Sequence, residues 1–199
     1  MDSDFKVIST NHDVVLFRHK KIQTKFRLTF TIKTTNNNIV DIRDFLDFSI
    51  YKQLYDLNKD LLDDVIVKQV QNEPNTRIVI VLLKKVGDTI GINEKYLATK
   101  VQLISPDKGN CVGLVGTNIS LDEVDIDLPP KYARLECLES SLFSFQSQDG
   151  ITTQFDFNIE DPYFTSRQLH VPRAITDISA LLLKKAFIRM KEYKANQIH

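Results

Sequence analysis

The stretch KFRLTFTIK, residues 25–33, indicates the fold class because apolar and polar side chains alternate along it without a break. Its even positions carry Phe26, Leu28, Phe30 and Ile32. A period of two over nine residues is typical of a strand that has one face in the core and the other in water. We therefore predict a strand here that packs one face against a core.

More strands are expected on both sides of this one. Residues 78–83, Ile-Val-Ile-Val-Leu-Leu, are apolar at every position, which favours a central strand covered on both faces. Residues 123–128 alternate acidic and apolar side chains, which predicts an acid-faced edge strand. Short apolar runs predict further strands at 5–8, 14–17, 96–104, 111–115, 142–146 and 151–159.

The last two of these strands should form a hairpin around Gln148-Asp149-Gly150. A two-residue Asp-Gly loop would place Phe143 opposite Asp156. A three-residue loop, with Gly150 in the left-handed conformation, pairs Phe143 with Phe155. We favour the three-residue loop because it keeps the two phenylalanines on one face of the sheet.

The first helical segment begins at Asp41, which is a good N-cap. Apolar residues then recur at helical spacing as far as Leu61, and the pattern extends to Gln71 with a break near Asn58. Whether residues 41–72 form one helix or two is left open by this pattern.

The second helical segment runs from about Ala174 to Gln197, and its apolar stripe is wider than that of an ordinary amphipathic helix. Such a helix is either well buried or presents a second face to a partner, and we favour burial. Leu183 and Phe187 are the candidate hydrophobic partner face.

The order of these elements is strands, helix, many strands, helix. It predicts an α+β fold with a mostly antiparallel sheet of about seven to nine strands, packed by a central helical segment and a long C-terminal helix. No linker divides the chain, so residues 1–199 are predicted to form a single α+β domain. The alternative is a subdivision near 72–76 into 1–72 and 77–199.

Composition excludes several classes of protein. Apolar residues make up 42% and charged residues 26% of the chain, which is ordinary for a globular protein. The longest apolar run, 78–83, is too short to span a membrane. Lys plus Arg and Asp plus Glu both number 26, and this balance disfavours a dedicated nucleic-acid binder. The first residues lack the pattern of a secretion signal, which predicts a cytoplasmic or nuclear location.

Motifs that carry chemistry are scarce. Cys111 and Cys137 have neither zinc nor redox spacing, so we interpret them as two buried thiols. The glycines fit no phosphate-binding loop, and the histidines have no metal-binding spacing. Glu123, Asp125 and Asp127 would share one strand face, but an edge strand explains them better than a cation site. We therefore predict no catalytic residue, no metal and no cofactor.

The charge is unevenly distributed, because residues 14–40 contain six cations and no acid. A basic surface could bind an anion, an acidic partner or a nucleic-acid backbone, although a solvated face is its plainest explanation. The candidate partner- or anion-binding residues are Arg18, Lys20, Lys21, Lys25, Arg27 and Lys33.

These observations favour a non-catalytic protein–protein interaction module, a subunit or adaptor of an intracellular multiprotein complex. Its partner would be a protein, in a hetero-oligomer. Two alternatives remain: an enzyme whose site is assembled from dispersed residues, and a nucleic-acid-associated protein that uses the 14–40 basic region.

Overall fold

The fold is built on one large sheet, and the computed structural model describes residues 4–34, 41–85, 94–105, 109–162 and 173–198. The strands are β1 Phe5–Asn11, β2 Val14–His19, β3 Lys25–Ile32, β4 Leu62–Gln69, β5 Thr76–Leu83, β6 Lys95–Ile104, β7 Cys111–Asn118, β8 Ala133–Ser147 and β9 Gly150–Glu160. The helices are α1 Ile42–Phe45, α2 Ser49–Leu57 and α3 Arg173–Ile198, with a short 3₁₀ turn at Leu121–Glu123.

The sheet joins the two halves of the chain at its centre. Its strand order is β1-β2-β3-β9-β8-β7-β6-β5-β4, and each pair of neighbours in this order is antiparallel. A short parallel contact joins the first residues of β6 and β8. The predicted α+β class, with a mostly antiparallel sheet and a long C-terminal helix, is confirmed.

Strand β3 follows its sequence pattern. Its even-numbered residues are buried and its odd-numbered residues point away from the core. Leu28 lies opposite Leu16 of β2 and Phe155 of β9, so the apolar face continues across the neighbouring strands. This face packs against α3, where the ring of Phe187 meets that of Phe30 edge to face at 6.4 Å.

Strand β5 is covered on both faces, as its uninterrupted apolar run predicts. Val79 belongs to the main core between the sheet and α3. Ile80 belongs to a second apolar cluster on the outer face, where Ile126 and Leu128 pack over it. Residues 123–128 therefore cover the sheet as the end of the 3₁₀ turn and the loop after it, and the prediction of an acid-faced edge strand is wrong. Asp125, at φ 49°, breaks the extended conformation that a strand needs.

The first helical segment is shorter than the sequence suggests. Asp41 caps α1, as predicted, by accepting a hydrogen bond from the backbone N–H of Arg43 at 2.9 Å. Helix α2 ends at Leu57, and the side-chain amide of the C-cap residue Asn58 donates to the carbonyl of Leu54 at 2.9 Å. The extension to Gln71 is wrong, because Leu62–Gln69 instead pairs with β5 as a strand. Backbone hydrogen bonds to β5 satisfy this segment, and its sequence alone does not reveal that partner.

The β8–β9 hairpin has a register that neither predicted loop gives. Ser147 pairs with Gly150, so that Phe143 lies opposite Gln154 and not opposite Phe155. Gly150 does adopt a positive φ, of 140°. A Cβ atom there would collide with the carbonyl oxygen of Ile32 on β3, so the approach of a third strand fixes this position. Phe143 instead packs outward against Gly113 of β7.

Two other predictions concern the chain as a whole. In the ranges that the structure describes, no helix is long and apolar enough to cross a membrane. Residues 72–75 lie in the turn between β4 and β5, and Thr76 begins β5, so the region belongs to one continuous sheet. The single domain over 1–199, with its alternative division near 72–76, stays a prediction.

Candidate functional site

A cavity of about 290 Å³ lies between the inner face of the sheet and α3. The central strands, α1, α2 and the inward face of α3 enclose it. Most of its wall is apolar because each of these elements turns its periodic apolar stripe inward. The wall includes Phe26, Phe30, Leu46, Ile50, Leu54, Val79, Val81, Leu97, Leu114, Leu142, Phe155, Phe157, Ala180, Leu183, Ala186, Phe187 and Met190.

Two neutral polar groups lie in the sheet part of this wall. Ser144 of β8 and Thr153 of β9 face each other across the strand pair, and their hydroxyl oxygens are 3.0 Å apart. Both residues are buried. Because each hydroxyl partners the other, the pair is accommodated at little cost in an apolar surface.

Cys137 and Tyr51 lie in the same wall. Burial raises the pKa of the Cys137 thiol to about 11. Burial also raises the pKa of the Tyr51 hydroxyl well above its ordinary value. Both groups are therefore protonated at neutral pH, and a protonated thiol is a weak nucleophile. This arrangement suits the holding of a molecule better than covalent chemistry on it.

Four charged residues also belong to the wall: Lys84, Lys95, Asp161 and Lys194. Lys95, at the start of β6, forms an ion pair with Asp161, and Nζ lies 2.9 Å from Oδ2. Lys194, near the end of α3, contacts the ring of Phe45, with Nζ 5.3 Å from the ring centroid. The wall is thus mostly apolar, with an ion pair and a lysine that has no ion pair among its residues.

No family model and no curated protein matches this sequence. Solved structures do match its fold. Human STARD10 superposes with a TM-score of 0.70 at 8% identity, over 98% of this chain and 74% of that one. Human StAR-related lipid transfer protein 5 superposes with a TM-score of 0.69 at 9% identity, over 100% of this chain and 89% of that one. The lipid transfer and protein localization domain of human StarD13 superposes with a TM-score of 0.67 at 11% identity, over 94% of this chain and 87% of that one.

This chain has the fold of the StAR-related lipid transfer proteins. The prediction of a protein–protein interaction module, an adaptor or complex subunit, is therefore wrong. That prediction rests on a neutral net charge, an absence of catalytic motifs and an over-apolar terminal helix. In this fold, apolar residues of the terminal helix form part of the wall of an internal cavity.

Leu183 and Phe187, the candidate hydrophobic partner face, both belong to this wall. Phe187 is buried and stacks on Phe155 of the sheet. Leu183 is partly buried and packs against the same core. The favoured burial of α3 is therefore observed at these positions, and the outward apolar residue of this helix is Leu181.

The candidate anion-binding cations do not form one surface. Arg18 points inward, is buried, and forms an ion pair with Asp177 of α3. Lys25 pairs with Glu139 on the outer face of the sheet. Arg27, on the same face, binds Asp156 through two hydrogen bonds of 2.6 and 2.7 Å.

The other three candidate cations, Lys20, Lys21 and Lys33, are exposed. The acids that face this region come from β8 and β9, which lie far from β3 in sequence. The predicted 14–40 basic region also includes residues 35–40, which lie outside the described residues. Its role in binding a partner, an anion or nucleic acid stays a prediction.

Sequence reasoning missed the residues that form the cavity. Their apolar periodicity was visible, but the same pattern describes a filled core. Lys194 left a clearer signal, because it continues the inward series Phe187 and Met190 at helical spacing. A lysine on the apolar stripe of a helix is uncommon, and this departure from the pattern is visible in the sequence.

Proposed function

We propose that this protein binds one lipid-like molecule in the cavity between its sheet and α3, and can carry that molecule through water. The observation that supports this proposal most directly is the apolar cavity, which the strands and helices enclose. The fold supports the same proposal, because proteins named for lipid transfer share it over almost the whole chain.

Burial of apolar surface would supply most of the affinity. Phe155, Phe157 and Phe187 present aromatic rings to the cavity, and Leu142 and Met190 add flexible aliphatic surface. Each methylene group moved from water into such a surface contributes about 0.8 kcal/mol. Removing two methylenes from an alkyl ligand should therefore weaken binding about tenfold.

The size of the cavity favours a compact ligand. Pockets for small molecules usually measure roughly 300–1,000 Å³, and this one, at about 290 Å³, lies at the lower end. A molecule with one alkyl chain or a small fused ring system fits this volume better than a lipid with two long chains.

A pair of substitutions on α3 tests the proposal. Ala186 lines the cavity and is 5% exposed, whereas Leu181 is 51% exposed on the opposite side of the same helix. Ala186→Phe should fill the cavity and weaken binding of a fluorescent fatty-acyl probe at least tenfold. Leu181→Phe makes a matched control that should leave binding unchanged. Failure of the unmodified protein to bind any apolar probe, or equal binding by both variants, would overturn the proposal.

Transfer is measured separately from binding. Donor and acceptor vesicles of phosphatidylcholine, with the probe in the donor, report the rate at which the protein moves it. The unmodified protein and Leu181→Phe should accelerate transfer, and Ala186→Phe should not. The cytoplasmic or nuclear location and a protein partner stay predictions from the sequence.

A further inference from the structure

Lys194 is a buried lysine in the wall of the lipid-sized cavity. It is 4% exposed, and it lies one helical turn after Met190 on the inward stripe of α3. Its position on this stripe directs it toward the cavity, because residues four apart share a helix face. Lysine is seldom buried this deeply unless its charge has a partner.

The surroundings of Lys194 supply little compensation for its charge. Among the described residues, the contact of its ammonium group is the ring of Phe45, 5.3 Å away, with neither a hydrogen bond nor an ion pair. Asp47 is the acid whose charge acts on it, but this exposed carboxylate accepts a hydrogen bond from the backbone N–H of Ser49 at 2.8 Å. Attraction to a ring face offsets part of the cost of desolvating an ammonium, not all of it.

The two other buried cations among the described residues each have a polar partner. Arg18 is paired with Asp177. Lys184, as deeply buried as Lys194 at 4% exposure, donates a hydrogen bond to the hydroxyl of Ser9 at 2.7 Å. Lys194 thus differs from both in facing the cavity with its hydrogen-bonding capacity unused. Burial accordingly lowers the pKa of its ammonium group.

We infer that the ligand is an apolar molecule with one acid group, and that the anionic oxygens of this group accept hydrogen bonds from Nζ of Lys194. This inference rests on the proposed function and specifies its ligand class. The acid group would lie beside Phe45, and the apolar body would extend along Phe155 and Phe187. A charge-assisted hydrogen bond in a dry site is strong, so the lysine would select acids from neutral lipids of equal length.

The experiment compares two ligands that differ only in their end group. Palmitic acid and hexadecanol have the same alkyl length, and one carries a carboxylate. The delipidated full chain should bind the acid about ten- to a hundredfold more tightly than the alcohol. Lys194→Met should bind the two about equally, because methionine keeps an unbranched side chain of similar length and removes the charge. Lys194→Arg keeps the charge and should retain the preference.

A second lysine of α3 provides the matched control. Lys191 binds the carbonyl of His12 and the carboxylate of Asp13 at the surface, outside the cavity wall. Lys191→Met removes the same charge from the same helix, and it should leave the preference for the acid intact. A third probe, 1-palmitoyl lysophosphatidic acid, distinguishes a phosphate headgroup from a carboxylate, since tighter binding than palmitate would assign the site to phosphate.

The outcomes separate this inference from the proposed function. Equal affinities of the unmodified protein for acid and alcohol would overturn the inference while the cavity remained a lipid site. Retention of the acid preference in folded Lys194→Met would overturn it as well. If neither probe bound, the proposed function itself would fail. Should Lys194→Met not fold, Lys194→Gln takes its place once circular dichroism shows that this variant is folded. Loss of its preference for the acid would support the inference, and retention of that preference would overturn it.

Discussion

The ring of Phe155 on β9 stacks on the ring of Phe187 on α3, with centroids 5.1 Å apart and planes inclined by 14°. Phe155 also stacks on Phe157, which in turn stacks on Phe26 of β3. A row of aromatic rings thus joins the helix to the middle of the sheet along the cavity wall. This stacking holds the middle of α3 against the sheet.

Removal of the helix ring should therefore destabilise the protein strongly. We expect Phe187→Ala to lower the free energy of unfolding by about 3–5 kcal/mol, since it deletes a buried aromatic side chain. Leu181→Ala removes an apolar side chain from the exposed face of the same helix and should change stability by less than about 0.5 kcal/mol. Urea denaturation measures both values. Similar losses in the two variants would show that Phe187 does not hold the helix to the sheet.

Lys194 should reduce stability while it serves binding. We expect Lys194→Met to raise the free energy of unfolding of the delipidated protein by about 1 kcal/mol, because a buried and poorly compensated charge is replaced by an apolar side chain. A thermal unfolding midpoint a few degrees higher would confirm this. A lower midpoint would mean that the ammonium group stabilises the fold through a contact of its own.

The pH dependence of this effect has a definite sign. Burial lowers the pKa of Lys194 below its ordinary value of 10.5. Between the lowered and the ordinary pKa, the unfolded chain binds more protons than the folded one, so stability contributed by this group rises with pH across that window. The stability gain of Lys194→Met should accordingly shrink as the pH approaches 10.5. Burial also lowers the pKa of Lys184. Because Lys184 is present in both the unmodified protein and Lys194→Met, its contribution cancels in the difference between them.

An ion pair joins the turn after α2 to α3, and lowering the pH should weaken this pair. Arg189 contacts Asp60 with Nη2 at 2.9 Å from Oδ2, and Lys185 places Nζ 3.0 Å from the same oxygen. These hydrogen bonds, that of Arg189 most of all, hold the pKa of the Asp60 carboxyl well below its usual 3.8. The stabilisation is complete above 3.8 and is lost as the pH falls through the lowered pKa.

Asp60→Asn tests this ion pair. We expect a loss of roughly 0.5–1 kcal/mol at pH 7, small because solvent screens the half-exposed pair. The difference from the unmodified protein should narrow below pH 3.8. Asp56→Asn, which removes an exposed pair with Lys59, should cost less. Urea denaturation at several pH values measures each difference, and a loss that is constant down to acid pH would argue against the ion pair.

The two cysteines should report occupancy of the cavity. Cys137 lines the cavity and burial raises its pKa to about 11, whereas Cys111 is less buried and lies on β7. Iodoacetamide at pH 8 should therefore modify Cys111 faster, because the thiolate is the reactive form. A bound fatty acid should slow modification of Cys137 and leave Cys111 unaffected. Mass spectrometry of the labelled peptides gives both rates, and equal protection of the two thiols would contradict the assignment.

Local patterns in the sequence were sufficient for much of the fold. The alternation over residues 25–33 placed four side chains of β3 on the core face, and the apolar run at 78–83 correctly indicated a strand covered on both sides. Such patterns succeed because the side-chain period of a strand is a local property of the backbone. The register of the β8–β9 hairpin was not predicted, because the contact of Gly150 with Ile32 involves a strand more than a hundred residues away.

By itself, the sequence determined the α+β class, the inward faces of its main elements and the absence of common catalytic motifs. Only the tertiary structure decided that residues 62–69 are a strand, that Arg18 faces α3 and that Lys194 reaches a cavity. Periodicity encodes which side chains turn inward, but not how far the facing layers stand apart. That distance depends on contacts among segments remote in the chain, and it distinguishes a filled core from a binding site.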